Sequence, residues 1–269
     1  MSKAQELNGR GHIMYSLSFT EDEDFFYILM PYMDSGNLTS LINKGDIKNE
    51  LEALEYFRQI CYGLDILHKN KIIHRDLETD NILAQKNNDK LYPFLYLLSI
   101  SNFEISKEDI SIHASNYNAV SFARAPEMTT GIYDYKADVY SLGCILYKMI
   151  TKCEPFIGKN EQEVFSKKAV PTLELNRVSY VSDLCLKLLE GCLQYDKENR
   201  ISMDKINDLI SFRTIYTDYK CLRSIQTVDM KNRTHHNKES KAQAFNIKYK
   251  LAMVNNIIVL FANLRNFLS

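Results

Sequence analysis

Two short runs rich in β-branched and aromatic residues, 13–19 and 25–30, lie near the start of the chain. The acidic stretch 21–24 separates them, and a polar interruption of this kind is typical of a turn between two strands. We therefore predict a two-stranded antiparallel unit. The segment 31–36 contains proline and glycine and ends this pattern, and the chain that follows has a mainly helical pattern.

The later apolar positions predict several helices and one further strand. In the segment 50–68 they recur every three or four residues and give a helix one apolar face. The segment 137–151 is apolar on nearly all sides, which predicts a buried helix. Amphipathic helices are predicted at 181–194 and 202–211, and a β-rich run lies at 91–100.

The composition supports a folded domain. A chain of 269 residues forms one large domain, or one domain with an appendage, and buries a substantial core. With 45% hydrophobic and 25% charged residues it is neither a disordered nor a fibrous chain. The formal net charge of −1 gives no field that would attract nucleic acid, so we predict no nucleic-acid partner.

The six cysteines form no CxxC pair, and most lie within apolar periodic stretches. A free thiol in such a stretch behaves as a small hydrophobic group. This pattern favours a reduced compartment over a disulfide framework or a zinc site, and we predict a cytoplasmic protein. The first twelve residues have no apolar core and do not form a signal peptide.

The composition changes after about residue 212. Ten Lys and Arg but only three Asp and Glu occur between 213 and 265, and we predict a basic linker at 212–244. The segment 245–269 carries apolar residues at alternating four- and three-residue steps, which predicts an apolar helix. It is too polar for a confident membrane span. Three interpretations stay open: packing on this chain's own body, binding of a protein partner, and contact with a membrane surface.

The residues 74–77 read His-Arg-Asp-Leu, and Asn81 follows four positions later. This resembles the catalytic loop of protein kinases, H-R-D-L-x-x-x-N. Four further matches follow in the order that the family has. Ser-Asn-Phe-Glu at 101–104 stands in the place of Asp-Phe-Gly, and Ala-Pro-Glu occurs at 125–127. Asp138, Ser141 and Gly143 match Asp-x-x-Ser-x-Gly, and Arg200 lies where the family has an arginine that pairs with the glutamate of Ala-Pro-Glu. Upstream, 25–38 resembles a kinase strand, gatekeeper and hinge, and the resemblance covers about 12–211.

The resemblance implies a protein-kinase-like α+β fold, with a mainly helical C-terminal lobe and a small β remnant of the N-terminal lobe. It assigns residues 1–33 to partial N-lobe strands and the hinge, and residues 34–211 to the C-terminal lobe. Members of the family hold the ATP phosphates with a Gly-rich loop and a strand lysine. Neither is found in this sequence.

Six residues would have structural roles by resemblance: His74, Arg75, Phe103, Glu127, Asp138 and Arg200. We expect the Asp138 carboxylate to accept hydrogen bonds from backbone N–H groups of the catalytic loop. Glu127 and Arg200 would form a bidentate pair that anchors the activation segment, and His74 would pack against Phe103.

Arg75 has two readings. The resemblance gives it the role of a clamp for a phosphorylated residue of the activation segment, and the other reading is a residue that stabilises the loop by hydrogen bonds. The candidates for phosphorylation are Ser106, Ser111, Ser115 and Tyr117.

The resemblance implies ATP and Mg²⁺ as cofactors. In an active member Asp76 would accept the proton of the substrate hydroxyl, and Asn81 and Asn102 would bind Mg²⁺. The adenine would lie against Met30, Pro31, Met33 and Leu83. The alternative for Met30 and Leu83 is core packing, and we expect ATP to bind weakly or not at all.

Several positions depart from the family pattern. Glu78 replaces the lysine that steadies the γ-phosphate, which reverses the sign of that interaction. Asn102 replaces the magnesium-binding aspartate, and a neutral amide is a poorer ligand for a hard cation. Glu104 replaces the glycine of Asp-Phe-Gly, and Ala119-Val120 replaces the Gly-Thr of the substrate-docking loop, so a hydroxyl partner of Asp76 is lost.

Two functions follow as hypotheses. The first is a catalytically impaired kinase homologue, a pseudokinase, that acts through contacts with other proteins. The second is an active ATP-dependent serine/threonine protein kinase with Asp76 as the base, in which a longer chain supplies the N-terminal lobe. The second hypothesis has to account for Glu78 and Asn102, because positioning and charge neutralisation contribute more to phosphoryl transfer than the base alone.

Overall fold

The computed structural model describes most of the chain up to residue 211. The described residues are 11–88, 94–103, 106–108, 122–129, 133–169 and 181–211. The predicted linker at 212–244 and the predicted helix at 245–269 lie outside them. Within the described residues, no helix is both long enough and apolar enough to cross a membrane.

A β-hairpin near the start confirms the predicted two-stranded unit. Strand β1 (Ser18–Glu21) pairs antiparallel with β2 (Phe26–Leu29). The turn between them is closed by Asp22, whose carboxylate accepts the backbone N–H groups of Asp24 and Phe25 at 2.9 and 2.8 Å. A short polar side chain that bonds the backbone two and three residues on is a common way to hold a tight turn.

The first β-rich run is divided between two environments. Ile13 forms a parallel bridge with Ile100, and the N–H of Met14 donates to the carbonyl of Ile100 at 2.7 Å. Ile13 and Met14 are both buried. The hairpin strand begins only at Ser18, because these two apolar side chains are stabilised more by the main core than by an exposed hairpin.

The described residues contain six α-helices. They are α1 (Leu38–Lys44), α2 (Glu50–Lys69), α3 (Lys136–Thr151), α4 (Glu161–Ala169), α5 (Asp183–Cys192) and α6 (Met203–Leu209). The helices predicted from periodicity correspond to α2, α3, α5 and α6 with small shifts at their ends. Helices α1 and α4, of seven and nine residues, are additional and were not predicted from the sequence.

Polar residues begin four of these helices. The side chains of Asn37, Asn49, Ser182 and Ser202 each accept the backbone N–H of the residue three positions later. This satisfies an N–H group that has no partner within the helix. The starts of α1, α2, α5 and α6 are therefore encoded locally.

Two further strand pairs lie on the helical lobe. Strand β4 (Ile82–Lys86) pairs antiparallel with β5 (Tyr96–Ile100), and β3 (Ile72–Ile73) pairs antiparallel with β6 (Lys107–Glu108). Strand β5 lies within the predicted run 91–100, of which 91–93 are outside the described residues. The turn of chain between β3 and β4 carries the candidate catalytic loop.

One contiguous core joins the helices, and α3 lies at its centre. Nearly every residue of α3 is buried, as its apolar composition predicts. Gly143 allows α3 to approach α5, because a Cβ atom at that position would lie 2.7 Å from the Cβ of Cys192. The cysteines among the described residues are free thiols. Helix α3 thus forms a buried platform under the loop at 74–81.

Candidate active site

The loop at 74–81 is held by one buried carboxylate of α3. Asp138 accepts the backbone N–H of His74 through Oδ2 and that of Arg75 through Oδ1, both at 2.9 Å. The His68 ring at the end of α2 bonds Oδ2 at 2.8 Å. Burial raises the pKa of Asp138, but the hydrogen bond from His68 and the nearby charges and N–H groups outweigh it and hold this pKa below the ordinary value.

His74 is buried between the loop and the segment after β5. Its Nε2 lies 2.8 Å from the carbonyl oxygen of Ser101, and the N–H of Asp76 donates to its Nδ1 at 3.3 Å. The ring meets Phe103 edge to face, with centroids 5.3 Å apart. These partners require the neutral ring with its proton on Nε2, and burial lowers the pKa of His74 below the ordinary value of 6.5.

We expect the protein to lose stability as the pH falls from about 7.5 to 5.5. Burial also lowers the pKa of His12. In the unfolded chain both histidines bind a proton below about pH 6.5, whereas in the native state they stay neutral until the pH reaches their lowered values. Each contributes up to about 1.4 kcal/mol of lost stability per pH unit within that window. Urea unfolding at three pH values measures the slope.

The matched variant for this slope is His74→Phe, which keeps a ring against Phe103. It loses the bond to Ser101 and should be less stable at every pH. Its free energy of unfolding should, however, change less between about pH 7.5 and 5.5 than that of the native sequence. An unchanged slope in this variant would show that His74 does not titrate in the way its burial requires.

Three side chains converge at the centre of the site. Nδ2 of Asn81 donates to the backbone carbonyl of Asp76 at 2.7 Å and to the side-chain Oδ2 of the same aspartate at 2.9 Å. Nδ2 of Asn102 donates to the same Oδ2 at 3.1 Å and to Oδ1 of Asn81 at 3.3 Å. Asn102 has a φ of 63°, a left-handed conformation that asparagine adopts more readily than most residues. Two amides therefore bind one carboxylate.

This donor set is a poor match for a divalent cation. Mg²⁺ prefers carboxylate oxygens in an octahedral shell, and Asp76 supplies the one carboxylate of the trio. The amide N–H groups of Asn81 and Asn102 point at that carboxylate and satisfy it without a metal ion. Throughout the described part of the chain, no group of three or more His, Cys, Asp and Glu side chains could hold a metal ion.

Arg75 is buried beside the site. Its φ of 74° is in the left-handed region, which is uncommon for arginine. Its guanidinium lies 5.6 Å from the centre of the Tyr133 ring, a distance that allows a cation–π contact. Ser106, one of the candidates for phosphorylation, donates through its hydroxyl to the carbonyl of His74 at 3.2 Å. Ser111, Ser115 and Tyr117 lie outside the described residues, as do Glu104, Ala119 and Val120.

The residues predicted to contact adenine follow β2 or lie on β4. Met30 is 48% exposed, so the alternative of core packing does not apply to it. Pro31, Met33 and Leu83 are partly buried, and the carbonyl of Met33 accepts the N–H of Gly36 at 3.4 Å. The hinge turn lies beside β4, because the N–H of Ser35 donates to the carbonyl of Ala84 at 3.1 Å.

The activation segment is anchored by an arginine at the far end of the lobe. The guanidinium of Arg200 bonds both carboxylate oxygens of Glu127, Nη1 to Oε1 at 2.5 Å and Nη2 to Oε2 at 2.9 Å. It also donates to the carbonyls of Lys136 and Gln194 and lies over the Tyr140 ring at 4.9 Å. Arg200 is 2% exposed, so these contacts rather than water compensate its charge.

A groove beside the catalytic loop was not foreseen from the sequence. It has a volume of about 330 Å³ and is lined in part by Glu78, Asp80, Lys148 and Glu154. Lys148 pairs with Glu154 at 2.5 Å and donates to the hydroxyl of Thr79 at 3.0 Å. Glu78, which replaces the family lysine, lies in the wall of this groove. Glu78 and Asp80 lie about 70 positions before Lys148 and Glu154 in the chain, so no local pattern links the two pairs.

Comparison with known proteins gives one family. The model of the protein kinase domain matches residues 2–209. Calcium-dependent protein kinase 4 of Plasmodium falciparum (isolate 3D7) is 30% identical over 195 residues, which are 71% of this chain and 36% of that protein. Serine/threonine-protein kinase PKH2 of Saccharomyces cerevisiae is 34% identical over 169 residues, 61% of this chain and 16% of that protein. The chain thus spans about a third or less of these two relatives.

Solved structures with the same fold include two crystal structures of Rad53. One, of the kinase domain and SCD2 in complex with AMPPNP, has a TM-score of 0.64 and 22% identity, and covers 78% of this chain and 77% of that one. The other, of Rad53 1–466 in complex with AMP-PNP, has a TM-score of 0.65 and 24% identity, and covers 79% of this chain and 52% of that one. At this identity the likeness concerns the fold.

Proposed function

The chain belongs to the protein kinase domain family, and within that family we propose that it is a catalytically impaired member, a pseudokinase, that acts by binding other proteins. Its fold is that of a protein kinase and its relatives include serine/threonine kinases. A member of this family acts on proteins or binds them, so the partner class is protein.

The observation that carries the proposal is the hydrogen bond from Asn102 to Asp76. The amide N–H of Asn102 donates to Oδ2 of Asp76 at 3.1 Å, at the position where the family has the magnesium-binding aspartate. Asn81 donates to the same oxygen. A neutral amide at position 102 offers a divalent cation one uncharged oxygen in place of a carboxylate, so we expect Mg²⁺ to bind weakly at this site.

Glu78 supports the same conclusion through its charge. The family places a lysine at this position, where it steadies the γ-phosphate, and a carboxylate there repels the phosphates instead. At about 4 Å and an effective dielectric of 20, one unit of charge corresponds to about 4 kcal/mol. By contrast, the scaffold contacts of Asp138 and of Arg200 with Glu127 are formed. A retained scaffold with an altered centre fits a protein that binds partners.

A second candidate is an active ATP-dependent serine/threonine kinase with Asp76 as the base. The retained contact between Asn81 and Asp76 favours it, because this contact keeps the base in the loop conformation that the family uses. Solved structures of the same fold contain AMPPNP. This candidate requires the phosphate-binding N-terminal lobe to come from further sequence, and a transfer assay with Asp76→Ala as the blank would detect it.

The Asn102→Asp variant separates the two candidates. A second carboxylate near Asp76 should lower the unfolding temperature without metal, since two like charges would lie about 3 Å apart. Magnesium should then restore stability to the variant, by about 1.4 kcal/mol at ten times the dissociation constant. The native sequence should show no magnesium-dependent shift, with or without millimolar ATP. Thermal unfolding of both proteins with and without Mg²⁺ and ATP measures the difference.

The matched control is Asn43→Asp, which makes the same change at an exposed position of α1. It should behave as the native sequence does. A clear shift of the native sequence with ATP and Mg²⁺ together would contradict the pseudokinase proposal and favour the active enzyme. A shift with ATP alone would indicate nucleotide binding without metal and leave the impaired site as proposed.

A further inference from the structure

The β1–β2 hairpin exposes more apolar surface than any other element of the described residues. Directly paired residues share a face of a two-stranded ribbon, so Phe19 and Ile28 lie on one face, and Leu17 and Met30 extend it by one pair. We name these four residues the apolar quartet. Each is between 48% and 62% exposed.

The quartet is not the usual scatter of single exposed apolar residues. Four large side chains form one continuous patch on a protruding ribbon, and such patches mark surfaces that another element covers. A two-stranded hairpin alone is marginally stable in water, because it has no core of its own. The hairpin therefore gains both stability and solubility from a cover over this face.

The tip of the hairpin is acidic, so a cover over this surface should also carry positive charge. Glu21, Asp22, Glu23 and Asp24 follow one another there and are exposed. Asp22 is used by the turn and by a hydrogen bond from the Tyr27 hydroxyl at 2.7 Å. None of the ion pairs within the described residues involves the other three carboxylates. The surface thus combines an apolar face with an acidic end.

We infer that the apolar segment 245–269 of this same chain docks on the apolar quartet, with the basic linker 212–244 against the acidic tip. The segment carries Ile247, Leu251, Val254, Ile258 and Phe261 at alternating four- and three-residue steps, a spacing that predicts the apolar face of a helix. Ten Lys and Arg against three Asp and Glu between 213 and 265 complement the carboxylates of the tip.

The length of the linker permits this docking. About 33 residues separate the last described residue from the apolar segment, and as a flexible coil they have an end-to-end distance of roughly 30 Å. Fully extended they reach on the order of 100 Å, whereas a domain of about 200 residues is roughly 45 Å across. A tethered segment has an effective concentration in the millimolar range, so even a weak contact is formed for most of the time.

The charges favour this occupant over the hairpin of a second copy of the chain. A second hairpin would bring its own acidic tip to the contact and supplies no cations. The linker places cations next to the apolar segment, just as the hairpin places carboxylates next to its apolar side chains. Attraction between them should weaken as the salt concentration rises.

Hydrogen–deuterium exchange of the full chain tests the inference. The variant Val254→Asp, Ile258→Asp, Phe261→Asp puts charge on the apolar face of the segment. The control Asn255→Asp, Asn263→Asp puts charge on the polar face. We expect the backbone amides of the hairpin to exchange roughly tenfold faster in the first variant than in the native sequence, and at the native rate in the control.

The reverse experiment changes the hairpin. Phe19→Ser with Ile28→Ser removes half of the quartet without touching the core, since both residues are exposed. We expect the segment 245–269 to be cleaved several-fold faster by a non-specific protease in this variant. We also expect about 500 mM NaCl to weaken the protection of the hairpin in the native chain relative to about 50 mM.

Three results would overturn the inference. Equal hairpin exchange in the native chain and the first variant would show that the segment covers nothing there. Protection that disappears on dilution, together with a dimer in light scattering, would identify a second copy as the occupant. Protection of the segment only in the presence of anionic vesicles, with the hairpin unprotected, would identify a membrane surface.

Discussion

Asp138→Ala should remove a large part of the stability of the fold. The substitution removes the acceptor of three hydrogen bonds, from the backbone N–H groups of His74 and Arg75 and from the His68 ring. His74 and Arg75 are buried, and each buried donor without a partner costs about 1–3 kcal/mol. The sum is on the order of 3–9 kcal/mol, against a total stability of about 5–15 kcal/mol for a typical domain.

Urea unfolding followed by circular dichroism measures this loss. The matched control is Asp65→Ala, which breaks the ion pair with Lys69 on the surface of α2. Lys69 is 67% exposed in that pair, so the control should change the free energy of unfolding by less than about 1 kcal/mol. Asp138→Asn keeps one acceptor oxygen and should lie between the two. An Asp138→Ala protein as stable as the control would mean that the loop is held by other contacts.

Acid should act on the same residue in the same direction. The pKa of Asp138 is below its ordinary value in the folded protein, so the folded state favours the ionised carboxylate. This stability is present above the ordinary value of 3.8 and is lost as the pH falls through the lowered pKa. Losses between about pH 7.5 and 5.5 therefore belong to His74 and His12, and losses below about pH 4 include Asp138.

Arg200→Ala is the second large effect, and we expect it to lower the free energy of unfolding by about 3–5 kcal/mol. The guanidinium is buried and bonds both oxygens of Glu127, and its removal takes a charged donor away from that carboxylate and from the carbonyls of Lys136 and Gln194. The methylene chain also packs in the core, so a cavity adds to the cost. Arg200→Lys should recover only part of the loss, because an ammonium group cannot bond two oxygens as a planar fork.

A double-mutant cycle with Glu127→Ala distinguishes the pair from simple loss of packing. The two single changes should cost much more in sum than the double change, since the second removal leaves no unpaired partner behind. Lys197→Ala is the control, because Lys197 pairs with Asp134 at 3.0 Å and both side chains are more than a quarter exposed. It should cost less than about 1 kcal/mol. Strict additivity in the Arg200–Glu127 cycle would contradict a coupled pair.

Much of the fold could be predicted because it depends on residues close together in the sequence. The hairpin follows from two β-rich runs around an acidic turn, and α2 and α3 follow from the spacing of their apolar residues. The first residues of α5 and α6 follow serines that cap them. Helices α1 and α4 were not predicted, and length alone does not explain this, because α6 was predicted and has seven residues as α1 does.

The family motifs indicated which residues belong to the site, but they did not indicate how the side chains meet. The order of His74, Asp76, Asn81 and Asn102 was enough to propose a catalytic loop and a metal-binding position. The orientation of the Asn102 amide depends on the left-handed backbone at that residue and on the two acceptors in front of it. Those acceptors lie more than 20 positions away along the chain, so only the folded arrangement shows that the amide faces Asp76.

The features around the site are also of two kinds: some are set by local spacing along the chain, and others by contacts between distant residues. Helix starts, the turn at Asp22 and the buried character of α3 are set by local spacing, because hydrogen bonds and apolar faces repeat over a few residues. The bond from His68 to Asp138, the groove beside Glu78 and the division of residues 13–19 between core and hairpin join parts of the chain that are 70 or more positions apart. Such contacts depend on how helices and strands pack against one another, and packing has no counterpart in the local pattern of a sequence.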